Sequence, residues 1–226
     1  MDILTTTYLK KTYGDGEARV QALRSTDLTI KKGEFVSIIG PSGSGKSTLL
    51  HLLAGLDKPT AGHVYIEGKD IYEMTEKELA IFRRKRIGFV FQFFNLLPIL
   101  SLEENITLPL ILDGQKNDKT YIEELMDTLK IKERRKHLPG ALSGGQQQRA
   151  AIARALATKP SIIFADEPTG NLDTKSTKEV LELLTESIKK YNQTLVMITH
   201  DPKVAEYADR VLTIEDGVIV NDRAVV

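Results

Sequence analysis

Phe35-Val36-Ser37-Ile38-Ile39-Gly40-Pro41-Ser42-Gly43-Ser44-Gly45-Lys46-Ser47 is the stretch that decides the fold. The short apolar run 35–39 is of the kind buried in a parallel sheet. A Gly-rich turn follows, then a helix predicted from about Lys46 to Ala54, stopped by Gly55 and the Asp57-Lys58-Pro59 turn. Glycines let the backbone curl so that several N–H groups face one phosphate, and the helix N-terminus adds partial positive charge. The spacing fits G-x-x-x-x-G-K-[ST], a phosphate-binding loop in which Lys46 reaches the β and γ phosphates and the Ser47 hydroxyl ligates Mg²⁺. From average residue usage, such a pattern arises by chance in a chain this long on the order of once per hundred.

Outward from that loop, Val20 to Ile30 is β-leaning and Val64-Tyr65-Ile66 reads as a strand before a Glu67-Gly68 turn. From about Phe93 to Thr158 the helical period dominates, with Tyr121, Ile122, Leu125, Met126 and Leu129 on one helix face. Strand–helix alternation then returns: a strand at Ile162 to Ala165, an amphipathic helix marked by Val180, Leu181, Leu184 and Ile188, and a strand at Leu195 to Ile198. A hairpin through Asp216-Gly217 closes the chain. This alternation predicts an α/β core with a mainly parallel sheet, interrupted by a helical insertion.

Bulk composition narrows the function. The 226 residues suffice for one large core or one core plus a small inserted subdomain. Lys plus Arg is 31 and Asp plus Glu is 31, so there is no general pull toward nucleic acid or anionic lipid. The basic runs Arg83-Arg84-Lys85-Arg86 and Lys132-Glu133-Arg134-Arg135-Lys136 read as solvated, partly helical faces, and no nucleic-acid partner is expected. The absence of cysteine rules out disulfides and thiolate metal sites. The start, Met1-Asp2-Ile3-Leu4-Thr5, lacks the layout of a signal peptide. The apolar windows 108–112 and 195–198 are too short to cross a bilayer, so any membrane spans are expected from another chain.

Two more segments carry chemistry. Ile162-Ile163-Phe164-Ala165-Asp166-Glu167 is an apolar strand ending in two carboxylates, and it resembles a Walker B segment. Asp166 would hold Mg²⁺, usually through water, and Glu167 would face the attacking water as general base. Leu142-Ser143-Gly144-Gly145-Gln146 precedes a strongly helical stretch from Gln147 to Thr158 and is a second anion-binding helix start in the same chain. Here the sequence resembles the ABC (ATP-binding cassette) family, whose signature is LSGGQ. A five-residue match arises by chance well under once in about a thousand such chains.

The resemblance covers essentially the whole chain and implies its architecture. The fold expected is α/β: a P-loop NTPase (RecA-like) core with a mainly parallel sheet, an N-terminal antiparallel β subdomain and an inserted helical subdomain. The core and β subdomain would take 1–92 and 159–226, and the helical signature subdomain about 93–158. The chain stops soon after the closing hairpin, at Val226, so the long regulatory C-terminal domain of some sugar-import cassettes is expected to be absent.

The resemblance also implies site roles. Cassettes of this family pair head to tail, so Ser143, Gly144 and Gly145 would act on ATP held by the partner, and Gln146 is counted among the ATP-binding residues. ATP contacts would come from Gly40, Pro41, Ser42, Gly43, Ser44, Gly45, Lys46, Ser47 and Thr48. Gln92 matches the Q-loop glutamine, which touches Mg²⁺ and the water region, and Asp173 matches the D-loop. His200 matches the switch histidine that contacts the γ-phosphate, and Tyr13 the aromatic that stacks on adenine, with Tyr8 a nearby competitor. The catalytic group is then Glu167, His200, Gln92 and Lys46. The Mg²⁺ group is Ser47, Gln92 and Asp166.

The strings Gly88-Phe89-Val90-Phe91-Gln92-Phe93-Phe94-Asn95-Leu96, Gly144-Gly145-Gln146-Gln147-Gln148-Arg149 and 166–173 look like one branch: the macrolide-exporter, lipoprotein-release and antimicrobial-peptide-resistance cassettes (MacB/LolD-like). That branch implies an FtsX-like permease partner, a place on the cytoplasmic face of the membrane, and work that often transmits force rather than opens a channel. The apolar loop Phe93-Phe94-Asn95-Leu96-Leu97-Pro98 has two readings: core of the helical insertion, or a groove for a short helix of a membrane subunit. The alternative function is a soluble ABC ATPase, such as an iron–sulfur assembly ATPase. A binding-only cassette is disfavoured by the intact Glu167 and His200.

Overall fold

A computed structural model describes residues 1–114 and 118–225. Gln115, Lys116 and Asn117, inside the expected helical insertion, and Val226, where the sequence stops, lie outside the described residues. In chain order the elements are β1 (Asp2–Tyr13), β2 (Val20–Lys31), β3 (Phe35–Ile39), α1 (Lys46–Leu53), β4 (Ala61–Ile66), β5 (Lys69–Asp70), α2 (Glu76–Arg86) and β6 (Ile87–Val90). They continue with α3 (Leu102–Leu112), α4 (Lys119–Thr128), α5 (Gly144–Leu156), β7 (Ile162–Asp166), α6 (Thr174–Tyr191), β8 (Thr194–Ile198), α7 (Pro202–Ala205), β9 (Arg210–Glu215) and β10 (Val218–Ala224). The chain forms two compact units, one of residues 1–83 with 194–226 and one of residues 84–193.

The first unit holds an antiparallel sheet in the order β2-β1-β4-β5. The Thr-rich β1 suits it, because β-branched side chains pack well on a pleated surface. Buried Thr6 joins β1 to β2 where their register shifts: its hydroxyl donates to the Thr26 carbonyl at 3.0 Å and accepts from the Leu28 N–H at 2.9 Å. In the same unit β3 pairs in parallel with β8 on one side and β9 on the other, and β9 turns antiparallel into β10. Both β3 and β8 are buried almost throughout, which explains why they read as mostly apolar runs, with only Ser37 and Thr194 polar. Asp216 and Gly217 take φ of 47° and 74°, the pair of positive values a two-residue hairpin turn needs.

In the second unit β6 and β7 run parallel, with Val90 opposite Ala165. The 18-residue α6 buries Val180, Leu181, Leu184 and Ile188 on one face, the stripe its sequence predicts. Helical structure starts later than Phe93. Pro98 lies in an irregular stretch, and α3 begins only after Ser101, whose hydroxyl accepts from the Glu104 N–H while the Glu104 carboxylate accepts from the Ser101 N–H. That capping box is written as Ser-x-x-Glu at 101–104, a signal the periodicity alone hides. The basic runs are ion-paired: Arg84 and Lys85 meet the buried Asp113 carboxylate at 2.6 and 3.6 Å, and Arg135 meets Glu103 at 2.6 Å. Among the described residues no helix is long and apolar enough to cross a membrane.

Gly88 sets the contact between β6 and α5. A Cβ there would fall 2.6 Å from the Ala155 carbonyl oxygen, a backbone atom that cannot step aside. Gly88→Ala is expected to cost about 1–3 kcal/mol, seen as a lower urea midpoint. An unchanged midpoint would mean that α5 can shift away without loss.

Candidate nucleotide site

The loop between β3 and α1 is pressed against bare backbone. Gly40, Gly43 and Gly45 take φ of 152°, 77° and 102°. A Cβ on Gly40 would sit 2.1 Å from the Ile214 carbonyl oxygen, and one on Gly45 would sit 2.3 Å from that of Ala22. Only glycine meets both conditions. The Gly217 N–H donates to the Ser44 carbonyl at 2.9 Å, so the β9–β10 turn braces the loop from behind. Lys46 lies across the loop, its ammonium donating to the Gly40 and Pro41 carbonyls at 2.9 and 2.7 Å. Ser44 is 3% exposed and its hydroxyl has no protein partner, a buried polar atom that a phosphate oxygen would satisfy. Pro41, Ser42 and Ser47 are exposed and Thr48 half-buried, so the mouth of the loop is open.

Tyr13 ends β1 and is half-exposed. Its phenol donates to Asp57 Oδ2 at 2.6 Å. Burial first, then Asp57, pushes the phenol's pKa up, which keeps it a donor. The rival Tyr8 sits where β1 is irregular, at φ 47° and 66% exposed. His200 follows β8, and the parallel pair Ile38–Ile198 places Gly40 and His200 each two residues beyond the same register point. Both therefore leave the carboxyl edge of this sheet, where ligands bind in open α/β folds.

The second unit repeats that logic. Gln92 follows β6 and Glu167 follows β7, each two residues beyond the pair Val90–Ala165. Their side chains converge on Gly170, where a Cβ would lie 2.8 Å from Gln92 Nε2 and 3.2 Å from Glu167 Oε2. Asn171 Nδ2 donates to the Gln92 carbonyl at 3.0 Å, and the Gly170 N–H donates to the Glu167 carbonyl at 3.0 Å. Glu167 has φ 45°, a left-handed backbone uncommon outside glycine and of the strained kind that collects at functional sites. Gln92 and Glu167 carry roles legible in the sequence, whereas the parts played by Gly170 and Asn171 emerge only from the fold. The available signal was a glycine three residues past the strand-end glutamate, which in a tight turn leaves room for two side chains to meet.

Ser143 caps α5 through a capping box: its hydroxyl accepts from the Gln146 N–H at 3.3 Å and Gln146 Oε1 accepts from the Ser143 N–H at 3.0 Å. The helix therefore begins at Gly144 rather than Gln147. A Cβ on Gly144 or Gly145 would make ordinary contacts, at 3.4 Å to Leu172 and 3.5 Å to Ser176. Neither glycine is required by the chain's own packing. Asp173 caps α6, accepting from the Ser176 N–H at 3.0 Å and hydroxyl at 2.7 Å, and these bonds hold its carboxyl below the usual range.

The loop after Gln92 is surface, not core. Phe93 is 72% exposed and Ile99 83%. Phe94 and Asn95 are both left-handed, at φ 55° and 50°. Arg154 of α5 holds them, its guanidinium donating to both carbonyls at 2.8 and 2.5 Å. Buried Asn105 fixes the next part, accepting from the Leu97 N–H and donating to the carbonyls of Leu97, Leu100 and Ser101.

A glycine phosphate loop, a strand-end Asp-Glu pair and a capped LSGGQ helix in one chain define an ABC-type ATPase. The ABC transporter family profile matches residues 23–170, and the chain belongs to that family. It is 50% identical over 221 residues to the uncharacterized ABC transporter ATP-binding protein YvcR of Bacillus subtilis, covering 96% of this chain and 85% of that protein. To the lipoprotein-releasing system ATP-binding protein LolD of Legionella pneumophila it is 47% identical over 217 residues, covering 95% and 96%. To the macrolide export ATP-binding/permease protein MacB of Chlorobaculum tepidum it is 49% identical over 215 residues, 94% of this chain but only 33% of that longer protein. Among solved structures, the dimeric post-hydrolysis state of the cassette MJ0796 bound to ADP and Pi superposes with a TM-score of 0.88 at 43% identity over 99% of both chains. The chain is thus an ATP-hydrolysing ABC transporter ATP-binding subunit of the MacB/LolD branch, using ATP with Mg²⁺.

Gly45→Ala is expected to weaken ATP binding by about tenfold or more, since the loop must leave the Ala22 carbonyl and misdirect its donors. Titration with a fluorescent ATP analogue measures it; unchanged affinity would contradict the cradle as described.

Proposed function

We propose that the chain is the motor of a membrane transport complex, in which two cassettes close head to tail on shared ATP and drive a permease. The observation that carries this is the start of α5. Two glycines follow the Ser143 cap although the chain's own packing requires neither, and glycine in a helix costs about 1 kcal/mol relative to Ala. A close approach by something outside the chain explains them, and a triphosphate on a partner's loop suits a capped helix N-terminus. The solved relative MJ0796 is dimeric and was captured with ADP and Pi, which supports the same arrangement here.

The roles then fall out by chemistry. The backbone N–H groups of 42–45 and the Lys46 ammonium bind the β and γ phosphates. Ser47, Asp166 and Gln92 would hold Mg²⁺ through oxygen ligands that suit this hard cation, and the bound ion would offset charge on the phosphates. Glu167 takes the proton of the attacking water. Gln92, held against Glu167 across Gly170, and His200 orient the water and the γ-phosphate. Thr48 borders the phosphate contacts, Tyr13 carries the base, and Ser143, Gly144, Gly145, Gln146 and Asp173 serve the partner's nucleotide.

The load is read from the exposed apolar loop. Phe93, Leu97 and Ile99 face solvent on a backbone pinned by Arg154 and Asn105, next to Gln92. A rigid apolar surface beside a residue that reads the γ-phosphate suits a membrane subunit's short helix. The helical insertion at about 93–158 then transmits the stroke, from a cytoplasmic position on the inner face of the membrane. The relatives named for lipoprotein release and macrolide export point to an FtsX-like permease and to export or force transmission. No observation favours the iron–sulfur assembly alternative.

Glu167→Gln is expected to cut turnover by about a hundredfold or more while letting an ATP-bound dimer accumulate. Gel filtration with and without ATP tests this, and a monomer under both conditions would sink the head-to-tail reading. Phe93→Ser is expected to change stability by no more than about 0.5 kcal/mol yet abolish copurification of the membrane subunit. Retained copurification would place the docking surface elsewhere.

A further inference from the structure

Tyr13 is held by more than its strand. Asp57 accepts from the Tyr13 phenol on one carboxylate oxygen, at 2.6 Å, and from the Lys11 ammonium on the other, at 2.7 Å. Lys11 also donates to the Lys58 carbonyl at 2.6 Å, and its ammonium stands 4.7 Å from the centre of the Tyr13 ring. The cation therefore covers part of one ring face, while the 42% exposure of Tyr13 leaves other ring surface open. Burial opposes ionisation of Asp57, but the bonds from Lys11, Tyr13 and the Lys58 N–H outweigh it and hold the carboxyl below its usual range. Asp57 is itself fixed: Tyr72, mostly buried, donates from its phenol to the Leu52 and Asp57 carbonyls. The Thr60 N–H donates to the Lys10 carbonyl at 2.8 Å, and the Thr60 hydroxyl accepts from the Thr12 N–H at 2.9 Å.

The bonds of Lys10, Lys11, Thr12 and Tyr13 tie the end of β1 to the turn directly after α1, and the Tyr72 phenol ties that turn to the last residues of α1. That helix starts at Lys46, directly after the phosphate cradle. We propose that Lys11 and Asp57 are positioning residues of the nucleotide site: they orient the Tyr13 ring as a one-sided platform for a purine base and lock it to the helix that holds the phosphates. A ring with a cation on one face offers stacking to a base on the other only. A phenol bonded to a carboxylate cannot turn its edge into the space the base needs. The distance between base and phosphate contacts is then set by one frame. This role of Lys11 and Asp57 rests on Tyr13 being the base platform.

The test compares two probes on the full chain, Mg·ATP and Mg·tripolyphosphate, by titration calorimetry; the second lacks base and sugar. Tyr13→Ala is expected to weaken ATP about tenfold and to leave tripolyphosphate unchanged. Lys11→Met and Asp57→Ala are each expected to weaken ATP about three- to fivefold, again sparing tripolyphosphate. Tyr13→Phe keeps the ring but loses the tether and is expected to fall between wild type and Tyr13→Ala. If Tyr13→Ala weakens ATP while Lys11→Met and Asp57→Ala bind it like wild type, the positioning role is overturned and the platform stands. If tripolyphosphate binding falls in step with ATP, the pair acts on the cradle or the fold, and the positioning role is again overturned. If Tyr13→Ala binds ATP like wild type, the platform itself is wrong and this inference falls with it.

Discussion

A phosphate can take hydrogen bonds from bare backbone only where the backbone is free of Cβ atoms and braced against its own flexibility. In this chain that constraint is met at Gly40 and Gly45, which touch the carbonyls of Ile214 and Ala22 from β9 and β2. The strands around the cradle are therefore functional parts. The β9–β10 turn donates from Gly217 to Ser44, and the Gly217 carbonyl accepts in turn from Arg24 of β2. Shift any of these and the donors no longer point at one centre. Two strands buried nearly throughout, β3 and β8, and the buried Val211, Leu212 and Ile214 of β9 make the brace stiff, since close-packed interiors do not deform gradually.

The same principle, small residues where backbone or side chains must approach, recurs with a different purpose in the second unit. Gly88 lets β6 lie against α5. Gly170 lets the amide of Gln92 and the carboxylate of Glu167 share a space. Gly144 and Gly145 differ, because no atom of the chain forces them. That contrast separates glycines the fold needs from glycines an interaction needs, and it is the physical ground for placing a second chain's ATP at the start of α5. Arg154, in the same helix, grips the loop after Gln92. One helix thus presents the anion site at its N-terminus and restrains the apolar loop near its C-terminus.

Much of this was legible in the sequence, for identifiable reasons. The short apolar runs at 35–39, 162–165 and 195–198 announce buried parallel strands, and all three occur. The loop and signature motifs are local: each lies in a contiguous stretch whose spacing its backbone chemistry demands. What resisted reading was pairwise and long-range. The helical period suggested helix from Phe93, but the stretch to Ser101 is irregular, held by Asn105 and by Arg154, 60 residues from Phe94. Gly170 reads as an ordinary turn glycine until Gln92, far away in sequence, is seen beside it. Lys11 and Asp57 carry no motif, and only the fold brings a surface lysine, an aspartate in a turn and an aromatic together.

The central claim is that each ATP is completed by two chains, the phosphate loop of one and the α5 start of the other. Mixing tests it directly. One preparation carries Lys46→Ala and the other Ser143→Arg, each inactive alone. In a mixed pair one of the two composite sites keeps both halves intact, so the account predicts that combining the two inactive chains restores measurable ATP hydrolysis. A mixture as inactive as its components, when the two chains are shown to associate, would contradict it.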